Sequence, residues 1–319
     1  MDYFSEIIGQ ERALLPLQKA LQTGRINHAY LFVGPAGVGK LTTAEAFARA
    51  IIIETDPQGV AYVQERVHPD FMVIEKMESK TLIGIEQINR EMEPWLALKP
   101  YRSSRRVVII KDAHLLSIPA ANALLKTLEE PPGHAVIILV SDEQNLLDTI
   151  ISRCQVIRFF PLTEMNISEF LLGRGVDPDR AANLARLGQG SIAAALIMAE
   201  EAGLEELWDT AQNLIKSLAS GQEIDVLKCA EQMEKKPAMI ASLMSTLLRD
   251  IYIYQVTGQK QLLVMQSSLK LCEDFNKLIP ASVQTALVNI DKLRKQYRGP
   301  VSSVLISINI SYQLWDALQ

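Results

Sequence analysis

The chain has 319 residues, 48% hydrophobic and 22% charged, the usage of an ordinary globular protein rather than a disordered or fibrous one. Its 32 basic and 37 acidic residues leave a formal net charge of −5, which excludes coating nucleic acid by bulk charge alone but not through a local basic patch. The longest uninterrupted apolar run, residues 192–199, is far short of the about 20 residues that a membrane-spanning helix needs, so no membrane partner is expected. The first residues lack a basic region followed by an apolar stretch, so no secretory signal is expected. The only cysteines, Cys154, Cys229 and Cys272, are too few and too scattered for a disulfide framework, and the expected compartment is the cytoplasm.

In chain order, helical patterns over 7–21, 40–53, 85–96, 119–128 and 143–150 alternate with short apolar runs over 29–33, 71–74, 107–110, 135–140 and 155–159. Continuous apolar runs are the mark of strands buried on both faces of a parallel sheet, and the alternation predicts a three-layer α/β domain. After Pro161 no strand is expected. Three short helices, over 166–173, 179–187 and 191–202, are punctuated by Gly173, Gly175, Gly188 and Gly190. From Leu204 onward the pattern is helical throughout, with apolar stripes at Leu243, Met244, Leu247, Leu248 and Ile251 and at Val301, Val304, Leu305, Ile308 and Tyr312. These stripes read as core and packing surface. The expected domains are 1–161, 162–203 and 204–319.

The chemistry-bearing motif is Gly34-Pro35-Ala36-Gly37-Val38-Gly39-Lys40, placed between a strand and a helix. Glycines let backbone N–H groups curl around an anion, the helix N-terminus adds partial positive charge, and Lys40 reaches terminal phosphates. The other reading is a glycine-rich turn with a chance lysine. The next position should carry a hydroxyl for Mg²⁺ but is Leu41, and Thr42 is rotated about 100° further round the helix. The run 107–110 leads to Asp112, where a nucleoside triphosphatase keeps its Mg²⁺-supporting aspartate, but the following residue is Ala113 rather than a water-activating glutamate. His114 reads as a loop histidine or, alternatively, as a base. Phosphate binding remains open, and turnover is expected to be disabled.

Residues 120–132, running Ala-Ala-Asn-Ala-Leu-Leu-Lys-Thr-Leu-Glu-Glu-Pro-Pro, together with Ser152-Arg153-Cys154, resemble the clamp-loader branch of the AAA+ ATPases. Ile8-Gly9-Gln10-Glu11 and His68-Pro69-Asp70 fit the same family. The resemblance implies an AAA+ P-loop domain with a five-stranded parallel sheet, a small helical lid and an all-helical C-terminal collar that holds an oligomer together. It further implies a stationary, non-hydrolysing subunit whose Arg153 acts in trans on ATP held by a neighbouring motor subunit. Motor subunits (tau/gamma), a delta subunit, the sliding clamp and primer–template DNA would be the partners. A guanidinium is permanently charged and forks onto phosphate oxygens, and a finger of this kind is worth about 10³–10⁵ in rate in other nucleotide hydrolases. The alternative for Arg153 is a helix-terminal arginine paired with a local carboxylate or carbonyl.

Two departures from the family pattern stand out. Many bacterial members hold Zn²⁺ through four cysteines before the His-Pro-Asp segment, whereas 51–67 contains none, so no zinc is expected. The lid arginine of motor subunits is replaced in Gly190-Ser191-Ile192-Ala193 by Ala193. No cofactor is required on this reading, with residual ATP or ADP binding left open. Lys99, Arg102, Arg105, Arg106 and Lys111 form the densest basic stretch, either a DNA-phosphate contact or a solvated loop, and Tyr101 alone makes no stacking platform. A working ATPase motor and an inert scaffold with a relic phosphate loop remain the competing readings.

Overall fold

Five short strands form one parallel sheet in the computed structural model, which describes residues 3–142, 146–275, 278–297, 299 and 301–319. They are β1 (Ala29–Val33), β2 (Phe71–Ile74), β3 (Arg106–Ile110), β4 (Ala135–Ser141) and β5 (Gln155–Arg158), in the order β2-β3-β4-β1-β5. Every residue of β1, β3 and β4 is buried, which is why these strands read as unbroken apolar runs rather than alternating ones. Alternate side chains supply two separate cores. On one face Tyr30, Phe32, Val107 and Ile138 meet helices α1 (Glu11–Thr23) and α2 (Lys40–Ile53). On the other, Leu31, Val108, Ile110 and Leu139 meet Ile88, Leu96, Leu124 and Leu128.

A short helix α3 (Val60–Gln64) follows α2. The helix expected over 85–96 is split into a π-helical turn, Gln87–Met92, followed by α4 (Glu93–Ala97). Pro94 has no N–H and its ring clashes with the carbonyl four residues back, so the helix opens just before it. Helix α1 starts four residues later than expected because Gly9 lies in the left-handed region (φ 63°) and Gln10 stands at the cap. Helix α5 spans Ile118–Glu129 and α6 spans Asp148–Ile151. Residues 143–145 of the expected helix lie outside the described residues.

The chain divides into two compact units, one of Met1–Gly175 with Gln189–Ala194, the other of Val176–Gly188 with Ala195–Gln319. The segment 162–203 is therefore shared between them, through α7 (Glu164–Gly173), α8 (Pro178–Leu187) and α9 (Ile192–Glu200). The second unit continues with α10 (Leu204–Ser220), α11 (Ile224–Gln232), α12 (Pro237–Thr257), α13 (Leu269–Asp274), α14 (Pro280–Gln296) and α15 (Ser303–Leu318). Leu243, Met244, Leu247, Leu248 and Ile251 of α12 are fully buried, whereas Val301, Val304, Leu305 and Tyr312 are exposed. Helix α15 turns Ile306, Ile310 and Leu314 into the core instead, where it packs on α11 and α14. In the same unit the buried Asp250 accepts the Val264 N–H at 3.0 Å and the Ser268 hydroxyl at 3.2 Å, tying the connector after α12 to that helix.

The His68-Pro69-Asp70 segment organises the loop before β3. Asp70 is fully buried and accepts backbone N–H groups of Tyr101, Arg102 and Ser103 at 2.7, 2.7 and 2.9 Å. The Asp70 N–H donates to His68 Nδ1, so the ring proton sits on Nε2, which donates to Asp56 at 3.0 Å. Burial pushes the Asp70 carboxyl up, but those N–H donors and the Arg106 charge outweigh it and hold the carboxyl below its ordinary value. A depressed carboxylate stabilises the fold above its unfolded pKa of about 3.9 and loses that share as pH falls through the lower folded value. Asp70→Ala is expected to destabilise the protein by about 3–5 kcal/mol in chemical denaturation at neutral pH, with the deficit shrinking only below about pH 4.

Candidate functional site

Strand β1 delivers Val33 directly into the loop Gly34–Gly39, and α2 begins at Lys40. The loop is held from three sides within the first unit. Gln10, 3% exposed, donates to the Val38 carbonyl at 3.2 Å and to the Phe160 carbonyl at 2.7 Å, so Val38 is buried and the loop is tied to the chain just after β5. Gly34 lies so close to the Phe159 carbonyl that no side chain fits there. Gly37 (φ 74°) lies against Ser191, and the Ala193 N–H donates to the Gly37 carbonyl at 3.2 Å. A side chain at Gly37 would collide with the Ser191 hydroxyl. Pro35 is exposed and Ala36 half-buried at the crest.

Lys40 is only 4% exposed, and its ammonium is fully engaged. It donates to the Gly34 carbonyl at 2.7 Å and to the Pro35 carbonyl, and pairs with Asp142 Oδ1 at 2.7 Å. An ammonium has three hydrogens, and here it has three acceptors. Asp142 stands just beyond β4, and the register that sets Val33 beside Ser141 brings it next to the loop. His114 Nδ1 lies 3.4 Å from the Asp142 N–H and 3.5 Å from the Ser141 hydroxyl, the place of an ordinary loop histidine. Asp142 is the residue that sequence reasoning missed. The signal that singles out Asp112, an acid just past an apolar strand, was equally present at Asp142.

The metal-ligand positions are occupied by other business. Leu41 packs onto the apolar cluster under α2. Thr42 is exposed and lines a separate cleft of about 330 Å³ with Tyr3, Glu6, Glu45 and Arg49. Asp112 sits half-buried at the end of β3 in a left-handed conformation (φ 52°), and the carboxylate on Lys40 is Asp142 rather than Asp112. Ala113 is fully buried among apolar neighbours. Among the described residues no group of three or more His, Cys, Asp and Glu side chains could hold a metal ion.

Arg153 lies two residues past the end of α6. Its Nη1 donates to the Thr149 carbonyl at 2.9 Å and its Nη2 to Glu129 Oε1 at 2.6 Å, with the side chain 34% exposed. The basic stretch is largely used within the fold. Arg102 pairs with Asp56 at 2.8 Å, Arg106 lies 3.5 Å from Asp70 with its guanidinium 4.7 Å over the Trp95 ring, and Lys111 pairs with Glu75 at 3.0 Å. Lys99 is exposed and Arg105 half-buried, and beside them Tyr101 is 81% exposed.

A parallel sheet in this order, with a glycine-rich loop between the interior strand β1 and helix α2 and helices flanking both faces, is the three-layer α/β architecture of a P-loop module. The family model for the DNA polymerase III delta subunit matches residues 9–163, and the model for the C-terminal part of that subunit matches 205–305. The chain is 30% identical over 310 residues to the tau subunit of DNA polymerase III from Bacillus subtilis, covering 94% of this chain and 48% of that protein. It is 34% identical over 211 residues to the tau subunit from Escherichia coli, covering 62% of this chain and 33% of that protein. It thus spans about half or less of these relatives. A solved structure of the Bacillus subtilis clamp loader delta protein aligns over 95% of this chain and 99% of its own at 14% identity, with a TM-score of 0.37. By its matches to both models, the chain belongs to the family of DNA polymerase III delta subunits. Among the described residues no helix is long and apolar enough to cross a membrane.

Asp142 holds the Lys40 ammonium that a bound phosphate would need. Asp142→Ala is therefore expected to raise affinity for a fluorescent ATP analogue about ten-fold, the equivalent of 1.4 kcal/mol. Unchanged affinity would show that the pair does not gate the loop.

Proposed function

We propose that this chain is a non-hydrolysing, delta-prime-like subunit of the replicative clamp loader. On this reading it offers Arg153 in trans to ATP on a neighbouring tau/gamma motor subunit. It assembles with a delta subunit and helps place the sliding clamp on primer–template DNA, with no cofactor or zinc of its own. The observation that carries the reading is the contrast between two cations. Lys40 has every ammonium hydrogen engaged internally, while Arg153 is partly exposed with donors still unpaired. Leu41 and Ala193 support it further, because each removes a different part of a hydrolytic site, and so does the burial of Ala113.

The chemistry asked of Arg153 is electrostatic. Negative charge builds on the phosphate oxygens as the γ-phosphoryl leaves, and a guanidinium placed against them lowers the barrier without proton transfer. Of the basic stretch, Lys99 and Arg105 are the residues best placed to add salt-sensitive phosphate contacts to DNA, since Arg102, Arg106 and Lys111 already have carboxylate partners.

The likeness to tau subunits favours a second reading, a working motor. The two separate cleanly. The purified chain with Mg²⁺ and primer–template DNA is expected to turn over no ATP. In a reconstituted loader, Arg153→Ala is expected to lower DNA-stimulated hydrolysis by about 10³-fold at the finger's own site. Turnover by the chain alone that Lys40→Ala abolishes would make it a motor, and unchanged loader hydrolysis in Arg153→Ala would refute the finger.

A further inference from the structure

Two stretches carry the family resemblance most specifically, residues 122–132 and 152–154, and they meet at a single ion pair. Helix α5 ends at Glu129, because Pro131 and Pro132 cannot continue it. Helix α6 ends at Ile151, and the Arg153 N–H closes on the Ile150 carbonyl at 3.1 Å, which sets the arginine just beyond the turn. The last side chain of α5 then reaches the guanidinium at 2.6 Å. The glutamate of the glutamate-proline motif touches the arginine proposed to act outside this chain.

The guanidinium is held at both terminal nitrogens by different elements, Nη1 by the Thr149 carbonyl and Nη2 by Glu129. A longer contact joins Nη1 to the Ser152 hydroxyl at 3.4 Å. Of its five N–H donors, the Nε–H and a second hydrogen on Nη2 have no partner among the described residues. Nε and Nη2 lie on one edge of the guanidinium, an edge that can fork onto phosphate oxygens. A long arginine side chain otherwise samples many rotamers, and ordering it during the reaction would raise the barrier.

We propose that Glu129 is the positioning residue of Arg153: it fixes the guanidinium before the phosphate arrives and leaves two adjacent donors for it. The inference rests on the reading of Arg153 as a finger acting in trans. Glu129 itself touches no phosphate, and its negative charge is tolerable there because the guanidinium stays charged whatever its partner.

The test uses the reconstituted loader with its motor subunits, reading DNA-stimulated ATP hydrolysis for Glu129→Gln, Arg153→Ala and the double variant. Glu129→Gln is expected to lower kcat about ten-fold with the KM for ATP unchanged, because misplacement of a group already bound costs rate rather than affinity. In the Arg153→Ala background the same change is expected to cost nothing more. The pair is half-exposed, so the melting temperature is expected to stay where it is. An unchanged or raised kcat in Glu129→Gln, with Arg153→Ala crippled, would overturn the positioning role and leave the finger standing. Losses that add in the double variant would give Glu129 a separate structural role and overturn it equally. Full activity in Arg153→Ala would instead overturn the finger reading itself.

Discussion

A buried ammonium needs neutralising partners, and much of the first unit is arranged around that requirement at Lys40. Taking a charge out of water costs several kcal/mol unless acceptors replace the lost hydration. In a loop built for phosphate the anion would supply them. Here the Gly34 and Pro35 carbonyls and Asp142 do so. The carboxylate comes from the end of β4, the strand lying next to β1, so the sheet order itself provides the counter-charge. With the ammonium satisfied, Ser191 and Ala193 close against Gly37, and Gln10 fastens the loop to the chain beyond β5.

The same economy appears wherever this chain buries polarity. Asp70 gathers three backbone N–H groups and so fixes the loop before β3, and Asp250 does the corresponding work for the connector after α12. Between α2 and β2, Asp56 and Asp70 tie the chain to the loop before β3. They also redirect the basic stretch inward, since Arg102 and Arg106 serve Asp56 and Asp70. A cation count along the sequence therefore overstates the charge presented to a DNA backbone.

Arg153 is the exception to this inward accounting. It sits at a helix end against a local carboxylate and a backbone carbonyl, and keeps guanidinium donors that have no partner among the described residues. Surface ion pairs of this exposure contribute little to stability, so the value of the contact lies in orientation.

The sequence by itself determined the strands, because fully buried β-runs need apolar residues at every position. The observed ends of β1 and β2 match those runs, and α2 begins at Lys40 where the glycines stop. It also determined that positions 41, 113 and 193 carry no hydroxyl, carboxylate or guanidinium, since Leu41, Ala113 and Ala193 are apolar in any conformation. Helix α4 was less legible because Pro94 breaks a pattern whose periodicity continues through it. The α15 stripe lies outside the core because which of the helix's two apolar faces turns inward depends on the neighbours α11 and α14. Only the tertiary structure decided the partners of the charges, Asp142 for Lys40 and Glu129 for Arg153. These residues are 102 and 24 positions apart in the chain, and only the parallel register and the helix ends bring them together.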